Sequence, residues 1–295
     1  MEIKQVHPLF VGEVGGIDLS RLLDAATAKD VVAAMDRYAV LVFHDQAIDD
    51  PQQIAFSQLF GPIETTRHLI NPNHKLRLDK HIADISNLDD QNRIMAPDAR
   101  RRMSGLANRL WHSDSSYKPI SATYSILSAK VLPSWGGETE FADTRAAYDA
   151  LSPQLKAQVD GLVALHSIHT SRAKVGFTDF ADEERAALPP VPQSLVRVHP
   201  GSGRKALFLA SHAGSILDMP LPEGMMLLHD LIEHATQRQF VYTHRWRVGD
   251  LVMWDNRCTL HRGRPYDMAE VRDLHRTTVS DMANDKRGVA RASAA

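Results

Sequence analysis

The sequence contains a single cysteine, Cys258, among its 295 residues. One thiol excludes a framework of intramolecular disulfides and is typical of a reducing compartment. The formal net charge of -2 argues against a dedicated binder of nucleic acid or of a membrane surface, since such proteins are usually basic. No apolar run approaches the roughly 20 residues that span a bilayer, and MEIKQVHPLF lacks the basic start and apolar core of a signal peptide. These absences predict a cytoplasmic globular protein with neither nucleic acid nor membrane as a partner.

The sequence does contain enough apolar surface for a large core, because 43% of its residues are hydrophobic. It has no internal repeat, which excludes solenoids and propellers. In the first part of the chain, Thr27 is predicted to cap a helix that runs to about Arg37, and residues 39–43 are predicted to form a buried strand. Asp50 and Pro51 then suit the N-cap and first turn of a second helix.

Strands predominate in the rest of the chain. The runs predicted to be strands lie at 122–129, 195–198, 206–209 and 251–254. Helices interrupt them after Ser152-Pro153 and around an inner face formed by Leu228, Leu231, Ile232 and Ala235. This pattern predicts one mainly β domain over residues 1–282, an antiparallel barrel or sandwich with added helices. Within it, residues 171–193 are predicted to form a long lid-like connection, and residues 283–295 a flexible tail.

Two short motifs supply candidate metal ligands. In LWHSDSSY, His112 and Asp114 are two residues apart and can both ligate one ion, but in a chain with 15 histidines such a pair alone is not diagnostic. The later stretch GDLVMWDNRCTLHRG adds His261, just beyond a predicted strand. Two histidines and one carboxylate form the face that binds Fe(II) in non-haem oxygenases, and this face leaves coordination positions free for a co-substrate and oxygen.

These motifs resemble the taurine/2,4-dichlorophenoxyacetate dioxygenase family, and most of all its 2,4-dichlorophenoxyacetate branch. The similarity extends through QQIAFSQLFGP, ADISN, LWHSDSSY, GGETEF, HPGSGRK and VGDLVMWDNRC, and so covers nearly the whole chain. The resemblance implies a double-stranded β-helix (jelly-roll) core with surrounding α-helices. It also implies a homo-oligomer, and Fe(II), 2-oxoglutarate and O2 as the cofactor, co-substrate and oxidant.

The same resemblance assigns roles to individual residues. His112, Asp114 and His261 would ligate the iron. Thr139, in GGETEF, would hydrogen-bond 2-oxoglutarate. The family's two arginines after the last histidine correspond to Arg272 and Arg276. The first would pair with the distal carboxylate of 2-oxoglutarate, and the second would hold the substrate's anionic group in position for catalysis, since a guanidinium binds a carboxylate through two hydrogen bonds.

Three further residues are predicted to line the substrate pocket: Asn87, Arg67 and His68. The loop between residues 63 and 80, which carries the last two, cannot be matched to the family residue by residue. Substrate identity therefore depends on the part of the sequence that the resemblance covers least.

The resemblance implies an Fe(II)/2-oxoglutarate dioxygenase that hydroxylates the carbon between the ether oxygen and the carboxylate of an aryloxyacetate. The hydroxylated product collapses to a phenol and glyoxylate. One alternative keeps the chemistry and changes the substrate to taurine, another small sulfonate or another aryl carboxylate, because Arg276 would bind any such anion. A second alternative is a non-catalytic barrel that senses a metal or a small acid, although such a sensor would not need Thr139 and Arg272. A zinc hydrolase is disfavoured by the absence of an evident general-base motif.

Overall fold

The computed structural model describes residues 1–65 and 76–282. Its strands are β1 (Glu2–Gln5), β2 (Gly12–Gly15), β3 (Val40–Phe43), β4 (Ala83–Ser86), β5 (Ala122–Val131), β6 (Thr139–Asp143), β7 (Val163–His166), β8 (Val191–Ser194), β9 (Val196–Val198), β10 (Lys205–Leu207), β11 (Ala213–Ile216), β12 (Val241–His244), β13 (Leu251–Asp255), β14 (Thr259–Gly263) and β15 (Asp273–Ser280). Its α-helices are α1 (Ala25–Tyr38), α2 (Asp50–Gln58), α3 (Arg100–Gly105), α4 (Thr144–Asp149), α5 (Pro153–Val159), α6 (Ile168–Ala173), α7 (Asp182–Ala187) and α8 (Leu221–Ala235). The predicted tail, 283–295, lies outside the described residues.

The largest element is a seven-stranded sheet in the order β1-β2-β3-β13-β5-β15-β4. Its strand pairs are antiparallel except for β2 with β3. The central strands β3 and β13 are buried along their whole length, which explains why both are continuous apolar runs in the sequence. The predicted strands at 39–43, 122–129 and 251–254 are confirmed, each within a residue or two at its ends.

Helices α1 and α2 cover one face of this sheet, where Met35 and Phe56 pack into a cluster with Ile126 and Met253. The N-caps predicted for these two helices, Thr27 and Asp50, are wrong by three residues and one residue. Asp24 caps α1, and its side chain accepts a hydrogen bond from the backbone N–H of Thr27. Asp49 caps α2 in a capping box with Gln52, so Asp50 and Pro51 lie inside the first turn.

A three-stranded sheet, β12-β6-β14, lies over the opposite face of the large sheet. Phe141 of β6 joins the core cluster formed by the large sheet, and its ring lies 5.4 Å from that of Trp254 on β13. His261 of β14 is the cross-strand partner of Phe141. The small sheet therefore places His261 at the interface between the two sheets.

A second core cluster lies beyond the small sheet, between helices and the remaining strands. Helix α8 contributes Leu228, Leu231 and Ala235, as the sequence predicts, whereas Ile232 is only partly buried. The strands predicted at 195–198 and 206–209 correspond to the antiparallel pair β9–β10, each within one or two residues at its ends. The structure thus confirms the coarse prediction of a sheet domain with added helices. No helix in the described part of the chain is long and apolar enough to cross a membrane.

The stretch 171–193, predicted as one long connection, contains regular secondary structure. It begins inside α6, contains the whole of α7 and ends in β8. Glu184 of α7 forms an ion pair of 2.8 Å with Arg100 of α3, so charge pairing holds this polar segment against another helix. Whether it acts as a lid stays a prediction.

Candidate active site

A backbone contact brings the first and last candidate metal ligands together. His112 and His261 form an isolated antiparallel bridge. The N–H of His112 donates to the carbonyl of His261 at 3.0 Å, and the reverse bond is 2.9 Å. Because this bridge joins the chain after α3 to strand β14, the two imidazole rings lie 4.2 Å apart, although 149 positions separate the two residues in the sequence (261 - 112).

Asp114 completes a cluster whose ligand atoms all lie within 4.8 Å of one another. Its carboxylate oxygens are 3.8 Å from His112 Nε2 and 3.6 Å from His261 Nε2. All three side chains are buried. Two imidazole nitrogens and a carboxylate that converge on one point, with open space on one side, match the donor set that Fe(II) takes in non-haem oxygenases.

Both histidines are held neutral, which metal binding requires. Burial lowers the pKa of His112 below its ordinary value. Burial, together with the neighbouring His112, lowers the pKa of His261 well below its ordinary value. The Nδ1 of His112 donates to the carbonyl of Leu110 at 2.7 Å, so its Nε2 keeps the lone pair that a metal accepts.

Asp114 is positioned by three groups that sequence reasoning did not identify as a set. Its carboxylate accepts from Ser125 Oγ at 2.7 Å, and its backbone N–H donates to Asn256 Oδ1 at 3.1 Å. Asn256 in turn donates to Ser125 Oγ. Arg276 Nη1 donates to the other carboxylate oxygen at 2.5 Å. Burial alone would raise the pKa of Asp114, but Arg276, both histidines and Ser125 lower it, so the ligand is a carboxylate.

Arg272 and Thr139 lie in the same cavity as the metal ligands. Two guanidinium N–H groups of Arg272 donate to the carbonyls of Gly137 and Ile85. Its buried Nε has no hydrogen-bond partner among the described residues. Thr139 Oγ1 accepts from the indole N–H of Trp246 at 3.0 Å. An indole can only donate, so the hydroxyl proton of Thr139 remains free for an acceptor in the cavity. Both groups fit one end of a dicarboxylate such as 2-oxoglutarate.

The cavity has a volume of about 650 Å³ and reaches from the metal ligands to α3. A volume of this order suits a small organic ligand. Its apolar wall is formed by Ile85, Met95, Leu106, Leu127, Tyr266 and Met268. Arg276 lies at the polar end, beside the metal ligands, and its buried Nε also has no partner among the described residues.

The predicted substrate-pocket residues have different outcomes. Asn87 lines the cavity, but its side chain is committed to the backbone. Its Nδ2 donates to the carbonyl of Glu270 at 2.7 Å, and its Oδ1 accepts from the N–H of Arg272 at 2.9 Å. Asn87 therefore holds the segment that carries Arg272. Arg67 and His68 lie outside the described residues.

A second buried cluster, formed by His199, Asp255 and Cys258, also has metal-like spacing. Its carboxylate is already paired, because Arg257 binds Asp255 at 2.5 Å and His199 binds it at 3.0 Å. Burial raises the pKa of the Cys258 thiol well above its ordinary value, which opposes thiolate ligation. This cluster is a structural ion-pair network.

The chain matches the model of the taurine catabolism dioxygenase TauD, TfdA family over residues 2–278. It is 49% identical to the α-ketoglutarate-dependent 2,4-dichlorophenoxyacetate dioxygenase of Cupriavidus pinatubonensis, over 94% of this chain and 97% of that protein. It is 40% identical to the (S)-phenoxypropionate/α-ketoglutarate-dioxygenase of Sphingobium herbicidovorans, over 96% of each. A crystal structure of AAD-2 in complex with Mn(II) and N-oxalylglycine superposes with a TM-score of 0.90, at 50% identity, covering 96% of this chain and 98% of that one.

Proposed function

The chain belongs to the TauD/TfdA dioxygenase family, and on that premise we propose that it is an Fe(II)- and 2-oxoglutarate-dependent dioxygenase of aryloxyacetate-type acids. The reaction converts an aryloxyacetate, 2-oxoglutarate and O2 into a phenol, glyoxylate, succinate and CO2. The hydroxyl group enters at the carbon between the ether oxygen and the carboxylate. The resulting hemiacetal then breaks its bond to the aryl oxygen, which leaves as the phenol.

His112, Asp114 and His261 would hold the iron, since they are neutral imidazoles and an ionised carboxylate that converge on one point. Iron bound there, with 2-oxoglutarate and O2, supplies the oxidant that replaces a C–H hydrogen by a hydroxyl group. The chain's own contribution is to keep these three ligands on one side. Ser125 and Asn256 hold the carboxylate in its orientation.

Arg272 and Thr139 would bind the distal carboxylate of 2-oxoglutarate. The guanidinium is buried and has a free Nε, while the Thr139 hydroxyl has a proton directed away from Trp246. Burial lowers the pKa of Arg272, but an arginine side chain stays protonated in proteins. An anion in this position therefore gains charge-assisted hydrogen bonds in a water-poor environment.

Arg276 would orient the substrate. It lies beside the metal ligand Asp114, and apolar residues such as Met95 and Leu106 line the same cavity. An acid with its carboxylate toward Arg276 and its aromatic ring against the apolar wall would present the intervening carbon to the metal. Holding one carbon next to the reacting centre is the main contribution that binding groups make to such a reaction.

The observation that carries this proposal is the combination of an open metal-binding face with a large, partly apolar cavity that Arg272 and Arg276 line. Its test is the release of succinate and phenol by iron-loaded protein given 2-oxoglutarate, O2 and phenoxyacetate, with taurine in parallel. Phenol formed in a one-to-one ratio with succinate supports the proposal, and H261A should form neither.

Succinate release stimulated by taurine alone would keep the dioxygenase chemistry and reject the aryloxyacetate. Metal binding without release of succinate from 2-oxoglutarate, in the presence of either acid, would reject the enzyme and support a sensor.

We further infer that the large sheet and the sheet β12-β6-β14 form the two walls of a double-stranded β-helix. Their shared core around Phe141 and Trp254 supports this arrangement. The homo-oligomeric state and the cytoplasmic location stay predictions from the sequence.

A further inference from the structure

Arg172 is a partly buried cation of the cavity to which neither the sequence motifs nor the proposed mechanism give a role. It lies on α6 and lines the same cavity as His112, His261 and Arg276. Its hydrogen bonds go only to hydroxyl groups: Nη1 donates to Ser171 at 3.0 Å, and Nε to Ser104 at 3.5 Å. No carboxylate of the described chain lies within ion-pairing distance of it.

Leaving a guanidinium in this environment costs stability, because burial removes hydrating water and the two serine contacts are uncharged. Burial lowers the pKa of Arg172, the anionic form of Tyr117 would raise it, and the positive charge of Arg276 lowers it further. Asp114 is close enough to act on the same pKa, but Arg276 already occupies one of its oxygens. An anion that enters the cavity would relieve this unpaired charge.

The charges of the proposed complex indicate which anion would pair with Arg172. 2-Oxoglutarate brings two carboxylates, of which Arg272 and Thr139 suit the distal one and the metal chelates the other. The aryloxyacetate brings a third carboxylate, and Arg276, which already donates to Asp114, would have to share its guanidinium between the two groups. Arg172 is therefore a cavity arginine that the assigned contacts do not use, and it is close enough to Arg276 and Asp114 for their charges to act on its pKa.

We propose that Arg172 is the second arm of a two-arginine clamp that holds the substrate's carboxylate together with Arg276. This inference rests on the proposed function. If the clamp forms, α6 and β15 together determine that the cavity binds substrates with a carboxylate. A planar guanidinium on each side can satisfy both oxygens of one carboxylate. Arg276 alone would have to hold the substrate with the part of its guanidinium that Asp114 leaves free.

The test measures binding without turnover. Protein loaded with Mn(II) and N-oxalylglycine is titrated calorimetrically with phenoxyacetate and with its neutral analogue phenoxyethanol. In R172M, which keeps much of the apolar stem of the side chain, we expect the dissociation constant for phenoxyacetate to rise roughly 10- to 100-fold, the effect of losing a charged hydrogen-bond partner. The affinities for phenoxyethanol and N-oxalylglycine should change less than about threefold, and R172K should recover part of the loss.

Arg109 provides the matched control, since it also lines the cavity and no ion pair holds it in the described chain. Its charge acts on Tyr266, at the side of Arg272. R109M should therefore weaken phenoxyacetate binding less than about threefold, through the general field alone.

Three results would overturn the clamp. The first is an unchanged affinity of R172M for phenoxyacetate. The second is an equal loss in R109M, which would assign the effect to overall charge. The third is a parallel loss of phenoxyethanol and N-oxalylglycine affinity, which would give Arg172 a purely structural role. Failure of the proposed function is recognised separately, because the unaltered protein would then fail to bind phenoxyacetate or to release phenol from it.

Discussion

The hydroxyl group of Thr139 has one proton, and the neighbouring Trp246 determines where that proton is directed. Because the indole N–H donates to Thr139 Oγ1 at 3.0 Å, the hydroxyl accepts on one side and donates into the cavity on the other. Thr139 begins β6, and Trp246 follows the end of β12, 107 positions later in the sequence. The pairing of the two strands brings these residues together. If Thr139 binds 2-oxoglutarate as proposed, Trp246 would position the co-substrate through this hydrogen bond.

Replacing Trp246 by phenylalanine removes this donor and keeps an aromatic ring. The lost hydrogen bond is worth about 1 kcal/mol, so the KM for 2-oxoglutarate should rise roughly three- to tenfold while kcat changes little. Steady-state kinetics with varied 2-oxoglutarate measure this split. W135F, at an exposed tryptophan, is the control and should match the unaltered protein. An equal fall of kcat with no change in KM would contradict the role.

At this scale the sequence predicts the residues that belong to motifs and misses those that do not. His112, Asp114 and His261 carry recognisable neighbours, and the structure brings them together. Arg172 has no such neighbours, since its importance comes from the long-range packing of α6 against the cavity. Asn87 illustrates the opposite case: its motif was visible, but its amide binds backbone groups that only the fold brings near.

Helices α1, α2, α5 and α8 were predictable from the sequence, and Ser152 caps α5 as predicted. The N-caps of α1 and α2 are other residues than those predicted. A cap is chosen by backbone geometry, and aspartate or threonine within one turn of a helix start are all compatible residues. Asp24 takes the position because its extended backbone lets the carboxylate reach the N–H of Thr27. Thr27, three residues further on, is already inside the helix.

The N-cap role of Asp24 can be tested by measuring stability. D24A should lower the free energy of unfolding by about 1 kcal/mol, the usual cost of losing a capping side chain. T27A should change it by less than about 0.5 kcal/mol, because alanine is favoured inside a helix. Urea denaturation of both variants measures the difference. A larger loss in T27A would restore the original prediction.

A buried histidine links helix α2 to strand β15 and makes stability depend on pH. His275 lies 2.5 Å from Asp50 and 3.3 Å from Asp273. Burial would lower its pKa, but these carboxylates raise it from 6.5 to about 8. Since the folded pKa is above the unfolded one, the protonated pair stabilises the fold fully below pH 6.5. That contribution is lost as the pH rises through about 8.

Unfolding free energies measured between pH 6 and pH 9 should therefore fall by up to about 2 kcal/mol more in the unaltered protein than in H275Q. The glutamine variant keeps a hydrogen-bonding group and lacks the titration. Parallel pH profiles of the two proteins would show that the α2–β15 link does not titrate in this range.

At the scale of the whole molecule, the metal site lies where two sheets meet and joins segments from distant parts of the chain. The ligands lie on residues 110–114 and on β14. Arg276 lies on β15, and Arg272 immediately precedes that strand. A ligand that binds all of them stabilises only the folded chain. The buried strands β3 and β13 were predictable from their apolar runs, but the order of the strands and the packing of the small sheet over the large one depend on contacts such as Phe141 with Trp254.

Saturation with Mn(II) and N-oxalylglycine at about 100 times the dissociation constant should add about 2.7 kcal/mol. For a chain of this size, that raises Tm by roughly 5 °C or more. Differential scanning calorimetry with and without the two ligands measures the shift. D114A should lose it, whereas H229A, in an exposed cluster with metal-like spacing, should keep it. A full shift in D114A would place the metal elsewhere.

The paired backbone hydrogen bonds between His112 and His261 have a kinetic consequence. Burial leaves each imidazole little room to change its rotamer, and the paired backbone hydrogen bonds keep the two segments that carry the ligands from separating. Escape of the ion then requires this segment to open as a unit, a local unfolding event of the kind that hydrogen exchange detects. The residence time of the metal and the deuterium uptake of these two amides should therefore report the same opening rate.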